Sequence, residues 1–269
     1  MNPIVFAIVV VVVLGLAGGV ILVLASKFMA VYEDPRIAQV TECLAGANCG
    51  GCGYPGCGGC AEAILAGKAP VTACAPAGPE NAAKIAAIMG MEAPSGDKMV
   101  AHVLCNGGCN AKDNFEYRGV KDCLAATKVC GGDALACKYG CLGFGSCVRA
   151  CPFDALSMGA DGLPVVDTLA CTGCGKCQAT CPQGVMQLLP ASALVAVSCR
   201  SHAKGPAARK ACPNACLGCG LCMRNCPHGA IKIDGFLAVV DPAVCKAAGC
   251  TEKTCLAKCP TGAIHEAVE

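Results

Sequence analysis

The chain has 269 residues, of which 28 are cysteine, roughly one in ten and far above ordinary globular usage. Aromatic residues make up only 4%, tryptophan is absent and glycine reaches 34, which excludes one large packed core and points to small modules ordered by disulfides or metal centres. A formal net charge of +2 excludes nucleic-acid binding through overall basic charge.

Residues 3–26 carry no charged side chain and consist mostly of Val, Ile, Leu, Ala and Gly, a run long enough to cross a hydrocarbon core of about 30 Å. The expectation is a transmembrane anchor over 1–27 rather than a cleaved signal peptide, which needs a basic start and a small-residue cleavage site. Lys27 and Arg36 follow the run, so the positive-inside rule expects a single-pass inner-membrane protein, with the amino terminus outside and the remainder in the cytoplasm. In that reducing compartment dense cysteine reads as metal binding.

Residues 34–92 are predicted to form one cluster module. Its ligands are read as Cys49, Cys52, Cys57 and Cys74, with glycines whose backbone N–H groups can bond cluster sulfurs, while Cys43 and Cys60 receive no role. Gly51 to Gly56 fits G-x-G-x-x-G, yet no strand precedes it, Pro55 interrupts it and ligands flank it, so a dinucleotide site is excluded. A helix is predicted over 79–91, ending near Gly90, and residues 93–96 read as a linker.

Residues 97–135 form a cysteine-rich connecting module, whose widely spaced Cys105, Cys109, Cys123 and Cys130 are expected to hold a further cluster. Cys137 is the alternative to Cys130 in that set.

An internal repeat follows: 137–152 (CKYGCLGFGSCVRACP) aligns with 212–227 (CPNACLGCGLCMRNCP). Each copy leads into a predicted hairpin, 155–167 turning at Ala160-Asp161-Gly162 and 230–241 turning at Asp234-Gly235, and then into a second cysteine group. The spacing Cys171-x2-Cys174-x2-Cys177-x3-Cys181-Pro182 is that of bacterial ferredoxins, in which three thiolates hold one 4Fe–4S cluster and the fourth ligates its neighbour. By this exchange, unit 1 (136–190) places Cys171, Cys174, Cys177 and Cys151 on one cluster, and Cys137, Cys141, Cys147 and Cys181 on the other. Unit 2 (212–269) places Cys216, Cys219, Cys222 and Cys259 on one, and Cys245, Cys250, Cys255 and Cys226 on its partner. Phe144 stands where the repeat has Cys219, and Cys137 is the expected substitute ligand. Residues 191–211 read as a basic linker, and Cys199 and Cys212 receive no role. The competing occupant is structural zinc, which seldom uses three close cysteines followed by a Cys-Pro belonging elsewhere.

The predicted fold class is therefore α+β: a single N-terminal transmembrane helix followed by small iron–sulfur modules, including two bacterial-ferredoxin-like double-cluster units, with about six 4Fe–4S clusters in all. His102, His202, His228 and His265 are scattered, and no nucleophile, phosphate loop or flavin signature appears, so no catalytic residue is assigned.

The N-terminal run, the segment from Asn48 to Cys57 with Cys74, Val103-Leu104-Cys105-Asn106-Gly107-Gly108-Cys109, and Cys141-Leu142-Gly143 leading to Cys151-Pro152-Phe153-Asp154-Ala155 together resemble the B subunit of the Rnf complex. That family is part of a membrane-bound ferredoxin:NAD oxidoreductase coupled to sodium or proton export, and the second double-cluster unit is similar to its longer form. The resemblance implies an electron-transfer subunit without a substrate pocket of its own, taking electrons from soluble ferredoxin. It also implies partners in the membrane, flavin-bearing and NAD-binding subunits. A cluster subunit of a membrane hydrogenase or formate dehydrogenase and a non-redox metal-binding scaffold are the alternative readings.

Overall fold

The computed structural model describes residues 3–28, 34–92, 96–128 and 134–267. Helix α1 runs Pro3–Phe28, and its side chains are described without a break from residue 10 to residue 25. Among the described residues no helix is long and apolar enough to cross a membrane, which corrects the expected transmembrane anchor over 1–27 and the fold class built on it. The outer parts of the predicted span lie outside the described side chains.

The first module packs α2 (Pro35–Cys43), α3 (Gly56–Leu65) and α4 (Gly78–Met89) around Val40, Ile64 and Ile85, all fully buried. Asp34 starts α2 by accepting the Arg36 N–H at 2.9 Å. Helix α4 matches the predicted one within two residues and stops at Gly90, whose left-handed φ of 69° a side-chain-bearing residue adopts only at a cost.

The rest of the chain folds as β1 (Met99–Val103), α5 (Cys123–Lys128), α6 (Ser146–Arg149), β2 (Leu156–Met158), β3 (Pro164–Val166), α7 (Lys176–Thr180) and β4 (Met186–Pro190). It continues through β5 (Val195–Val197), α8 (Gly205–Ala211), α9 (Leu221–Arg224), β6 (Ile231–Asp234), β7 (Leu237–Val240), α10 (Pro242–Ala247), α11 (Thr254–Ala257) and β8 (Ile264–Glu266). The strands pair antiparallel as β1–β4, β2–β3, β5–β8 and β6–β7. β2–β3 and β6–β7 are the predicted hairpins. In the second, Gly235 and Phe236 both take positive φ (47° and 69°), the two-residue turn whose twist suits a tight hairpin.

The other two pairings unite segments that the sequence separates. The connecting module lends β1 to the end of unit 1, with Met99 opposite Pro190, and the supposed linker 191–211 lends β5 to the end of unit 2, with Val195 opposite Glu266. Each unit thus has four short strands and small helices around a modest core: Val100, Leu156 and Met186 in one, Val197, Ile231 and Ile264 in the other. Buried cysteines complete both cores, because so few large apolar side chains are available. The units also touch directly, since Lys246 of α10 reaches Asp97 at 2.6 Å and Ser198 meets the His102 ring at 3.2 Å.

Candidate cluster-binding cavities

Five cavities in the ferredoxin-like part are each lined by four cysteines. The first, of about 380 Å³, gathers Cys226, Cys245, Cys250 and Cys255 against Val195 and Ile231. The second, about 340 Å³, gathers Cys216, Cys219, Cys222 and Cys259 against Ile233 and Ile264. The third, about 320 Å³, gathers Cys151, Cys171, Cys174 and Cys177 against Leu156 and Leu188. These three sets are the ones that ferredoxin spacing predicts. The crossed ligand arises because a short helix (α6 or α9) carries the chain from the third close cysteine to a Cys-Pro that enters the neighbouring cavity.

The fourth cavity, about 350 Å³, is lined by Cys123, Cys141, Cys147 and Cys181, so Cys123 stands where Cys137 was expected. Helix α5 is pinned there by its own first residue: the Cys123 N–H donates to Ser146 Oγ at 2.9 Å, and Ser146 donates to Asp122 at 2.8 Å. Arg149 closes the same corner on Asp122 at 3.3 Å. Phe144, in the position a ligand would take, turns instead to Tyr117, ring centres 5.2 Å apart. Spacing could not reveal this substitution, because Cys123 lies 18 residues before Cys141. Its only trace in the sequence is that Cys141-x5-Cys147 lacks a middle cysteine.

The fifth cavity, about 330 Å³, is lined by Cys105, Cys137, Cys199 and Cys212. The expected set Cys105, Cys109, Cys123 and Cys130 is therefore not brought together: Cys105 and Cys123 line different cavities, Cys109 is exposed and Cys130 lies outside the described residues.

In the first module Cys52, Cys57, Cys60 and Cys74 are close enough to perturb one another's ionisation, and the Cys57 N–H donates to Asn48 Oδ1 at 2.8 Å. Cys49 shares the loop, its Sγ 3.6 Å from where a Cβ on Gly51 would stand. Cys60, given no role from the sequence, is buried beneath them on α3.

Burial pushes the thiols of Cys60 and Cys141 up to about 12 and those of Cys177 and Cys222 up to about 11. At neutral pH such groups keep their protons until a metal replaces them. Cys259 goes the other way: burial raises its pKa, but backbone N–H groups of Thr261, Ile264 and Ala263 outweigh that and leave it low. Among the described residues no group of three or more Cys, His, Asp or Glu side chains is arranged to hold a metal ion directly. The sulfurs instead ring cavities, a donor set suited to a multi-iron cluster rather than to one tetrahedral ion.

The cavities adjoin one another. A Cβ on Gly51 would stand 2.8 Å from the Cys174 carbonyl oxygen, so the first module's loop abuts the third cavity. Cys147, from the fourth, lies close enough to Cys177, from the third, to help raise its pKa, and both belong to one buried core. The Cys141 N–H donates to Cys105 Sγ at 3.4 Å, linking fourth to fifth, and the Cys216 N–H donates to Cys199 Sγ at 3.3 Å, linking fifth to second.

Comparison with known proteins identifies the family. Residues 44–76 match a family described as a putative Fe-S cluster, and residues 136–185 and 170–230 match the 4Fe-4S dicluster domain. The chain is 47% identical to the B subunit of the Na(+)-translocating ferredoxin:NAD(+) oxidoreductase complex of Acetobacterium woodii, over 96% of this chain and 76% of that one. It is 47% identical to the B subunit of the proton-translocating ferredoxin:NAD(+) oxidoreductase complex of Clostridium ljungdahlii, over 100% and 94%. The chain belongs to the B-subunit family of ion-translocating ferredoxin:NAD oxidoreductase (Rnf) complexes. A third member, the B subunit of the ion-translocating oxidoreductase complex of Methanosarcina acetivorans, is 45% identical over 94% of each chain.

Proposed function

We propose that the chain relays electrons from reduced soluble ferredoxin to the membrane, flavin-bearing and NAD-binding subunits of an Rnf-type complex. The cluster modules would lie on the cytoplasmic side, where soluble ferredoxin is found. The observation that carries this reading is the crossed cysteine arrangement, in which Cys151 and Cys226 each complete the cavity next to the one their own loop begins. The proposed ligand sets are Cys49, Cys52, Cys57 and Cys74; Cys151, Cys171, Cys174 and Cys177; Cys123, Cys141, Cys147 and Cys181; Cys216, Cys219, Cys222 and Cys259; and Cys226, Cys245, Cys250 and Cys255.

A 4Fe–4S cluster bound in such a cavity supplies a one-electron centre whose potential follows its hydrogen bonds and burial. The residues around it govern both. Leu156, Ile231 and Ile264 keep water from the sulfurs, while the N–H groups of Ala101 on Cys171 at 3.4 Å and of Ala263 on Cys259 at 3.2 Å stabilise negative charge there.

The test is an anaerobic iron and acid-labile sulfide count combined with titration by reduced ferredoxin. The reading expects a visible absorbance that bleaches as ferredoxin is oxidised. A fully loaded protein that stays oxidised in the presence of excess reduced ferredoxin, although dithionite bleaches it, would refute ferredoxin as donor. A protein that takes up zinc but no iron and sulfide would refute the relay altogether.

A further inference from the structure

We infer that Cys105, Cys137, Cys199 and Cys212 hold a further 4Fe–4S cluster that joins the two ferredoxin-like units, an inference that rests on the relay reading above. No cysteine run marks this site. Its ligands come from four separate segments: the loop after β1, the turn at Cys137–Gly140, the loop after β5 and the end of α8. Cys105 lies outside every matched segment, and Cys199 and Cys212 belong to no ferredoxin spacing.

The bland alternative is four small buried side chains filling space. Three observations oppose it. First, the four thiols face one cavity of about 330 Å³ rather than packing into each other, and its size and lining parallel those of the four ferredoxin-type cavities. Second, the sulfurs accept backbone N–H groups as cluster thiolates do: Cys105 from Cys141 at 3.4 Å, and Cys199 from Ser201 at 3.5 Å and Cys216 at 3.3 Å. Third, the backbone gives way for them. A Cβ on Gly107 would stand 3.2 Å from Cys212 Sγ and 3.7 Å from Cys105 Sγ, so a residue without a side chain lies between two thiols.

The surrounding bonds hold the segments in register. Asn214 donates to the Asn106 carbonyl at 2.7 Å and the Lys112 N–H to the Ala211 carbonyl at 2.9 Å, fastening the Cys105 loop to the end of α8 that carries Cys212. The donors Cys141 and Cys216 themselves line the fourth and second cavities. A cluster here would thus contact, through one hydrogen bond on each side, a ligand residue of each flanking unit.

The experiment uses the full chain purified anaerobically, as wild type and as the variants Cys199→Ala, Cys212→Ala and Cys109→Ala, with iron and sulfide counted and the reduced protein examined by electron paramagnetic resonance. The expected wild-type content is about 24 irons and as many sulfides, for six cubane clusters. Cys199→Ala and Cys212→Ala should each lose about four of both with one component of the spectrum, while exposed Cys109→Ala stays at the wild-type count. Wild type fully loaded at about 20 irons overturns the inference without needing any variant to fold, and leaves the relay reading standing. So does a Cys199→Ala, Cys212→Ala double variant that keeps the wild-type count. A wild-type protein without iron and sulfide fails the relay reading itself.

Discussion

Gly51 approaches Cys174 so closely that a Cβ on it would stand 2.8 Å from the Cys174 carbonyl oxygen. That contact brings the first module's cysteine loop onto the loop of unit 1, and from there the cavities follow one another through neighbouring cysteines to the Cys219 cavity, which shares the core of unit 2 with the Cys250 cavity through Cys222 and Cys245. The order along this row is first module, Cys174 cavity, Cys123 cavity, Cys105 cavity, Cys219 cavity, Cys250 cavity. Stepwise adjacency is what an electron relay requires, and it is supplied here by the core that the two cavities of each unit share and, from module to module, by backbone contacts.

Gly51→Ala removes no ligand, yet its Cβ would stand against the Cys174 carbonyl and beside Cys49 Sγ. Its φ is not in the left-handed region, so the expected harm is steric: overpacking against fixed backbone costs about 1–3 kcal/mol. The first module should shift away from unit 1 with all clusters retained, lowering Tm and weakening the magnetic interaction between the two nearest reduced centres. An unchanged spectrum and an unchanged Tm would mean that the contact does not hold the modules together.

Cys123→Ser and Cys137→Ser separate the ligand set read from the structure from the one spacing suggests. Cys123→Ser should alter the centre that also uses Cys141, Cys147 and Cys181, and Cys137→Ser should leave that centre intact. Spectra of Cys123→Ser and Cys147→Ser that lose the same component, with Cys137→Ser losing another, are the expected outcome. If Cys137→Ser and Cys147→Ser lose the same component, Cys137 is the ligand after all.

Much of this site was legible because ligation is local in ferredoxin loops. Cys171, Cys174 and Cys177 lie within one turn of chain, and the Cys-Pro that follows crosses over, so three cavities could be assigned by counting residues. The hairpins were legible for the same reason, each being closed by its own turn. What counting missed is non-local. Cys123 and Cys199 reach their cavities through α5 docking on Ser146 and through β5 pairing with β8, and neither contact leaves a periodic trace. The same blindness made 191–211 a linker when it carries a strand, a helix and four residues that line the Cys105 cavity, Ser198, Cys199, Arg200 and Ser201.

Because the cores are small and partly built of cysteine, removal of metal should unfold most of the chain beyond residue 34. Thiols pushed up to about 11 or 12 by burial return to the protonated state once iron leaves, and four neutral thiols facing a cavity offer little to close it. Treatment with an iron chelator under reducing conditions should abolish most of the far-ultraviolet circular dichroism of units 1 and 2. The first module has three packed helices over Val40, Ile64 and Ile85 and should retain the most. Native-like dichroism after complete iron removal would show that the apolar cores suffice without the clusters.

Charge decides where ferredoxin can dock. Each oxidised 4Fe–4S centre with four thiolates carries about −2, so six would take the formal +2 to about −10, and an acidic ferredoxin needs local positive charge to approach. The densest basic stretch in the sequence is Arg200, Lys204, Arg209 and Lys210, yet the structure removes Arg200 from it, because its guanidinium donates to the Gln183 carbonyl at 2.9 Å and the residue lines the Cys105 cavity. Lys204, Arg209 and Lys210 remain exposed at the two ends of α8, the helix that leads into Cys212. Reversing these three to Glu should slow ferredoxin oxidation roughly tenfold at low salt and flatten its dependence on ionic strength, with iron content unchanged. Arg200→Glu alone should instead disturb the protein locally, since it strands the Gln183 carbonyl and places a carboxylate beside four thiols. A triple variant with the wild-type rate and salt dependence would place the docking surface elsewhere on the row.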